Sequence, residues 1–187
     1  MGSVRDKVKR AYISQRGRKA WEESRQAIAE FWGAVDMAVG QLHLDFRKVR
    51  LYQDGLPVCG LEDKIVRDLA AQGVPNHRIL LKLMARGAVL EGTEDPELLR
   101  EEYEFIMQSL PAAERKGAEG RPDETHARAL KDLLERRDRF IVKRIDATLL
   151  PGETGILFLG ALHRAVEALP STVKVVSLSE LLKMPAN

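Results

Sequence analysis

The sequence predicts an α/β domain with a mostly parallel sheet of about four strands and helices on both faces. Three observations predict it. Short apolar or alternating runs at 48–53, 88–91, 156–159 and 173–177 are separated by longer stretches with helical spacing, the order that builds right-handed crossovers and a parallel sheet. The run Ile156-Leu157-Phe158-Leu159 is apolar on both faces, which suits a central strand covered from both sides. The chain's 187 residues suffice for one core and are short for two, so residues 1–187 read as a single domain.

Each element follows from local pattern. Trp21, Ile28, Phe31, Trp32, Val35, Val39 and Leu42 recur at helical spacing, giving a helix with one wide apolar face that ends near Gln41. The alternating strand Lys48 to Gln53 runs into the turn Asp54-Gly55-Leu56-Pro57. A helix from Leu61 to Gln72 closes at Gly73, and a second, with Asn76 as its N-cap, closes at Gly87. The strand Ala88 to Glu91 leads through Gly92-Thr93-Glu94-Asp95 to Pro96, placed for the first turn of a helix that ends at Pro111. Residues 112–123 carry no apolar pattern and read as a mobile surface loop. A long helix with the stripe Leu130, Leu133, Leu134, Ile141, Ile145 and Leu149 follows. After Pro151-Gly152 come the strand Ile156 to Leu159, a short helix through Leu169, a last strand Val173 to Ser177 and a helical turn.

Composition narrows the function classes. Thirty basic and 28 acidic side chains leave a net charge of +2, so no whole-protein field demands a polyanion. Only the first twenty residues are locally basic, through Arg5, Lys7, Lys9, Arg10, Arg16, Arg18 and Lys19, and a solvated helical face explains them as well as nucleic acid does. The apolar runs are too short to span a bilayer. The N-terminal stretch lacks the apolar core of a secretory signal, which points to the cytoplasm. The lone Cys59 agrees, excluding an internal disulfide and a multi-cysteine zinc site.

In a parallel α/β sheet, ligands bind where the carboxyl ends of the strands meet loops and helix N-termini. There three loops would become neighbours: Tyr52-Gln53-Asp54, Thr93-Glu94 and Gly160-Ala161-Leu162-His163-Arg164. Asp54, Glu94 and His163 could hold a divalent metal or a water, with Arg137 or Arg164 steadying an anionic substrate or a developing oxyanion. Gly160 would allow close backbone approach and present His163 near a helix N-terminus. Arg137 lies on the apolar stripe of its own helix, where a charge needs a partner, and Asp54 or Glu94 could supply it. Tyr52, Gln53 and Asn76 join Arg164 as candidate substrate or anion contacts. Each residue also has an ordinary structural role: Asp54-Gly55 is a turn dipeptide, Glu94 suits a helix's first turn, His163 a cap, and Arg137 could snorkel from a run of five charges. Walker, GxGxxG, GxSxG and HExxH motifs are absent from the sequence.

The segment RRDRFIVKRIDATLLPGETGILFLGALHRAVEALPSTVKVVSL resembles the C-terminal signature of the TraB, Tiki and erythromycin-esterase superfamily, over about the last third of the chain. There an arginine-bearing helix, here with Arg137, precedes an apolar strand, a Gly-x-x-His turn, here Gly160 to His163, a helix and a last strand. The resemblance implies that fold and includes metal-dependent proteases and esterases among its chemistries. The middle segment, from YQDGLPVCG to GTEDPELLREEYE, resembles an uncharacterised bacterial family whose members begin with an extra strand bearing a histidine and an Ala-Asp-Met-Gly-Ser stretch. This chain begins Met1-Gly2-Ser3, as if that strand and its ligand had been cut away. An uncovered edge beside the 48–53 strand would follow, open to homodimer formation or to the chain's own segment Ser3 to Gly17.

Two principal readings stand at this point. One is a metal-assisted hydrolase-like site acting on a small-molecule or peptide ligand. The other is a non-catalytic sensing or partner-binding domain that holds an anion through Arg137, Arg164 and helix N-termini. A third, a nucleic-acid accessory protein using the basic N-terminus, has a thin electrostatic case.

Overall fold

A computed structural model describes residues 4–114 and 124–181. Among them the order is α1 (Val4–Gly40), a 3-10 turn (Phe46–Lys48), β1 (Val49–Gln53), α2 (Glu62–Ala71), α3 (Pro75–Ala85), β2 (Val89–Leu90), α4 (Pro96–Glu114), α5 (Glu124–Thr148), β3 (Thr154–Phe158), a 3-10 turn (Ala165–Ala168) and α6 (Leu178–Leu181). The sheet is parallel and has three strands in the order β2-β1-β3. Of the expected loop at 112–123, residues 112–114 belong to α4, which continues through Pro111, and 115–123 lie outside the described residues.

The sheet sorts its side chains by the two-residue period of a strand. Val49 and Leu51 of β1 enter one core with Phe46, Leu56, Val66, Ile79, Leu80, Leu83 and Phe158, supplied from α2, α3 and the strand ends. Tyr52 enters a second, smaller core with Ile141 and Ile145 of α5 and with Ala165. Arg50, pointing to the same side as Tyr52, is held by Glu153 at 2.6 Å and by Glu91. β1 is therefore the central strand, where the near-continuous apolar run had suggested β3.

Three expectations are corrected. The fourth strand is absent among the described residues: 173–177 is irregular. Local bonding competes there with a ladder, because the Val173 N–H returns to the Pro170 carbonyl at 2.9 Å, and Ser177 and Glu180 form a capping box that opens α6 (Ser177 N–H to Glu180 Oε2, 2.8 Å). The uncovered edge beside β1 is also absent, since β1 pairs in register with β2 on one side (Arg50 with Val89) and β3 on the other (Gln53 with Phe158). Finally, the first helix begins well before Trp21 and bends at Gly17, whose φ of 85° no helix interior adopts. Trp32 and Val35 of its stripe pack against the larger core, whereas Ile28 and Phe31 are exposed.

Candidate functional site

The carboxyl ends of β1 and β3 and the loop after β2 converge, and the parallel register explains how. Gln53 and Phe158 are the last paired residues of their strands, and the Asp54 N–H continues the ladder to the Phe158 carbonyl at 3.0 Å. On the other side, Thr93 Oγ1 accepts the Gln53 N–H at 3.0 Å, and Leu56 O accepts the Thr93 and Glu94 N–H groups at 2.9 and 3.0 Å. Asp54, Glu94 and His163 thus share one end of the sheet.

His163 is the centre of the arrangement. Its turn is closed by the His163 N–H to the Gly160 carbonyl at 3.0 Å, and a four-residue 3-10 turn follows in place of the expected helix N-terminus. The imidazole is almost fully buried, with a side-chain exposure of 5%. Its Nδ1 lies 2.6 Å from Asp138 Oδ1, and the second oxygen of Asp138 accepts the Arg164 N–H at 2.8 Å. A carboxylate facing Nδ1 fixes the tautomer with the proton on Nδ1 and leaves Nε2 as the basic nitrogen. That Nε2 points at Asp54, 3.8 Å from Oδ2.

Asp54 is itself held from two directions. Oδ1 accepts from the Gln53 amide at 2.6 Å, and Oδ2 accepts the Gly160 N–H at 2.7 Å. Gly160 is needed for that approach, since a Cβ there would lie 2.8 Å from Asp54 Oδ2. Asn76 extends the chain of bonds, donating to Gln53 Oε1 at 2.9 Å, and the His77 Nδ1 lies 3.1 Å from Asn76 Oδ1. Asn76 is not the N-cap of α3: Pro75 opens that helix and Val74 flanks it, which frees the Asn76 amide for the site. Burial pushes the His77 pKa below the usual histidine value, against the pull of the Asp54 charge.

Glu94 lies beside this group but is already engaged. It is fully buried, and Oε1 accepts the Gly55 N–H at 2.9 Å and an Arg137 N–H at 2.5 Å, while Oε2 accepts the Arg137 Nε–H at 2.8 Å. Arg137, 5% exposed, also pairs with Glu102. Burial works against the guanidinium charge, but the Glu94 hydrogen bonds and the charges of Glu94 and Glu102 outweigh it and hold the Arg137 pKa above the ordinary value. This fork buttresses the Asp54-Gly55 turn from below.

The other candidates are placed apart. The Arg164 side chain turns outward to Glu167 at 3.1 Å, and only its backbone N–H reaches the site. Tyr52 faces the smaller core, its hydroxyl 2.8 Å from Thr148 Oγ1, and burial raises its pKa. Neither guanidinium therefore faces an anion placed at Asp54 and His163.

The donor set does not match the expected metal trio. With Glu94 committed to Arg137 and Asp138 to His163, Asp54 and His163 remain, short of the three protein ligands usual for a catalytic metal. Among the described residues no group of three or more His, Cys, Asp or Glu side chains is disposed to hold a metal ion.

Sequence reasoning passed over Asp138, absorbed into the charged run Glu135 to Arg139. A signal was present, because Asp138 falls four residues after Leu134 and three before Ile141, on the buried side of α5, and it is 9% exposed. Comparison with protein-family models, curated proteins and solved structures finds no match.

Proposed function

We propose that the domain is a hydrolase whose general base is His163, positioned by Asp138, with Asp54 opposite it to orient the attacking water. The observation that carries this reading is the line Asp138–His163–Asp54: 2.6 Å on the Nδ1 side, which orients the ring, and 3.8 Å on the Nε2 side. A water lying to one side of the Nε2···Oδ2 line can reach both atoms at hydrogen-bond distance, giving its proton to Nε2 while Asp54 holds the other O–H. Asp138 then stabilises the imidazolium that forms, the part a buried carboxylate plays behind a catalytic histidine in triads of unrelated fold. Gly160, Gln53 and the Glu94–Arg137 fork fix Asp54 before substrate arrives, which limits the reorganisation left to the reaction.

The resemblance of the C-terminal third to a superfamily that includes proteases and esterases supports hydrolysis as the reaction class. The two available donors do not complete a metal site, so no step is routed through a metal. A cytoplasmic setting suits the single cysteine, Cys59, which is exposed. Among the described residues no helix is long and apolar enough to cross a membrane.

The test is turnover of chromogenic carboxylic esters, phosphodiesters and peptide anilides by the purified chain and by His163→Gln. At least one class should be hydrolysed, with kcat/KM lower by about 10²–10⁴-fold in the variant, the usual contribution of a general base. Equal rates in both proteins would sink the assignment.

A further inference from the structure

A cavity lies apart from the polar group around His163. It lies on the α5 side of the sheet, encloses about 660 Å³, and runs beside β3 between the end of α5 and the segment 172–178. Its volume falls within the ~300–1,000 Å³ typical of small-molecule sites. Its walls are mainly apolar, through residues such as Ile145, Leu149, Leu157, Leu169, Val173 and Val176, with Thr154, Thr172 and Ser177 adding polar groups. It exists because this face is under-filled. Residues 163–169 contribute a single 3-10 turn where a full crossover helix would cover the sheet, and 173–177 does not close the gap by pairing with β3. Gly155 widens it further, lacking a side chain above Tyr52.

The charges at its wall are unbalanced in one direction. Glu153 is neutralised, since Arg50 takes both its carboxylate oxygens at 2.6 and 3.2 Å and the Leu150 N–H adds a third bond at 2.9 Å. Lys174, also at the cavity, is exposed and makes no ion pair among the described residues. A mainly apolar cavity lined along β3 from Thr154 to Leu159, with one uncompensated ammonium at its edge, selects for a shape and a charge together.

We infer that this cavity binds a free amphipathic anion, a saturated chain of intermediate length carrying a carboxylate, with the chain along β3 and the headgroup at Lys174. The inference does not rest on the hydrolase reading, because it uses none of the residues that act there. A long aliphatic tail gains about 0.8 kcal/mol per buried methylene, and the lysine distinguishes the anion from a neutral chain of equal length.

The experiment is calorimetric titration of the full chain with dodecanoate, 1-dodecanol and dodecyl phosphate, each kept monomeric. Dodecanoate should bind with a stoichiometry of one, about ten-fold or more tighter than dodecanol, a gap of about 1.4 kcal/mol. In Lys174→Glu, a surface change that leaves the core intact, that preference should vanish. Val175→Trp, which places a large ring at an exposed position on the cavity wall, should abolish binding of both. Dodecyl phosphate binding more tightly than dodecanoate would overturn the carboxylate assignment. Absence of saturable binding, dodecanoate affinity unchanged in both variants, or association with anionic phospholipid vesicles but not with monomeric dodecanoate would overturn the site.

Discussion

Replacing Arg137 by methionine would remove the cation from a carboxylate that has no contact with solvent. Glu94 is 0% exposed, and two of its three hydrogen bonds come from Arg137, at 2.5 and 2.8 Å. Only the Gly55 N–H at 2.9 Å would remain. The uncompensated charge puts the change in the range for breaking a buried pair, about 3–5 kcal/mol. The Arg137–Glu102 contact adds little, because Glu102 is one-third exposed and solvent screens it. With a urea m-value of about 2 kcal/mol/M, the unfolding midpoint should fall by roughly 1.5–2.5 M. The double variant Arg137→Met with Glu94→Gln should recover much of this loss, since a neutral amide can still accept from Gly55 without leaving a buried charge. Chemical denaturation followed by circular dichroism measures both. A midpoint unchanged in Arg137→Met, or a double variant less stable than the single one, would refute the argument that the fork is buried and balanced.

Other expectations follow from the same geometry. Gly160→Ala places a Cβ 2.8 Å from Asp54 Oδ2, so the strong Gly160–Asp54 hydrogen bond must stretch. A loss of about 1–3 kcal/mol is expected by denaturation, together with a chemical-shift change at His163 in NMR spectra, and an unperturbed spectrum would show that the turn is slack. His77 has a folded-state pKa depressed by burial, so the unfolded chain binds more protons between that value and about 6.5. Stability should therefore be complete above the unfolded pKa and decline as pH falls through the folded one. His77→Gln should flatten the thermal midpoint over that acidic interval, and an equal slope in the variant would count against a buried neutral His77. Nitrogen-15 shifts of the His163 ring should report the tautomer protonated on Nδ1, and Asp138→Asn should change that pattern; a ring protonated on Nε2 in the unmodified chain would contradict the assigned geometry.

The positions of Asp54 and His163 were legible because strand ends in a parallel sheet are fixed by topology, and the short loops after β1 and β3 leave little freedom. Arg137 was legible for a different reason: a charge on an apolar helical stripe needs a partner, and Glu94 is the one it finds. Asp138 was overlooked inside the charged run Glu135 to Arg139, although its spacing places it beside Arg137 on the buried side of α5. Glu94's commitment was equally hidden, because nothing in a Thr-Glu-Asp-Pro turn says whether its carboxylate faces a cavity or a guanidinium. The fourth strand failed where local bonding competes with a ladder: Val173 to Ser177 is rich in β-branched valines, but Pro170 and the Ser177–Glu180 capping box claim both ends. Asn76 shows the same competition at a helix start, where Pro75 opens α3 and the amide goes to Gln53 instead.

The central claim is that Asp138 acts only through His163. Its most direct measurement is kcat/KM on the best substrate class for Asp138→Asn, His163→Gln and the double variant. If Asp138 serves solely to orient and stabilise the imidazole, its removal costs nothing once His163 is gone, so the double variant should match His163→Gln alone. Losses that multiply in the double variant would contradict the account and make Asp138 an independent participant.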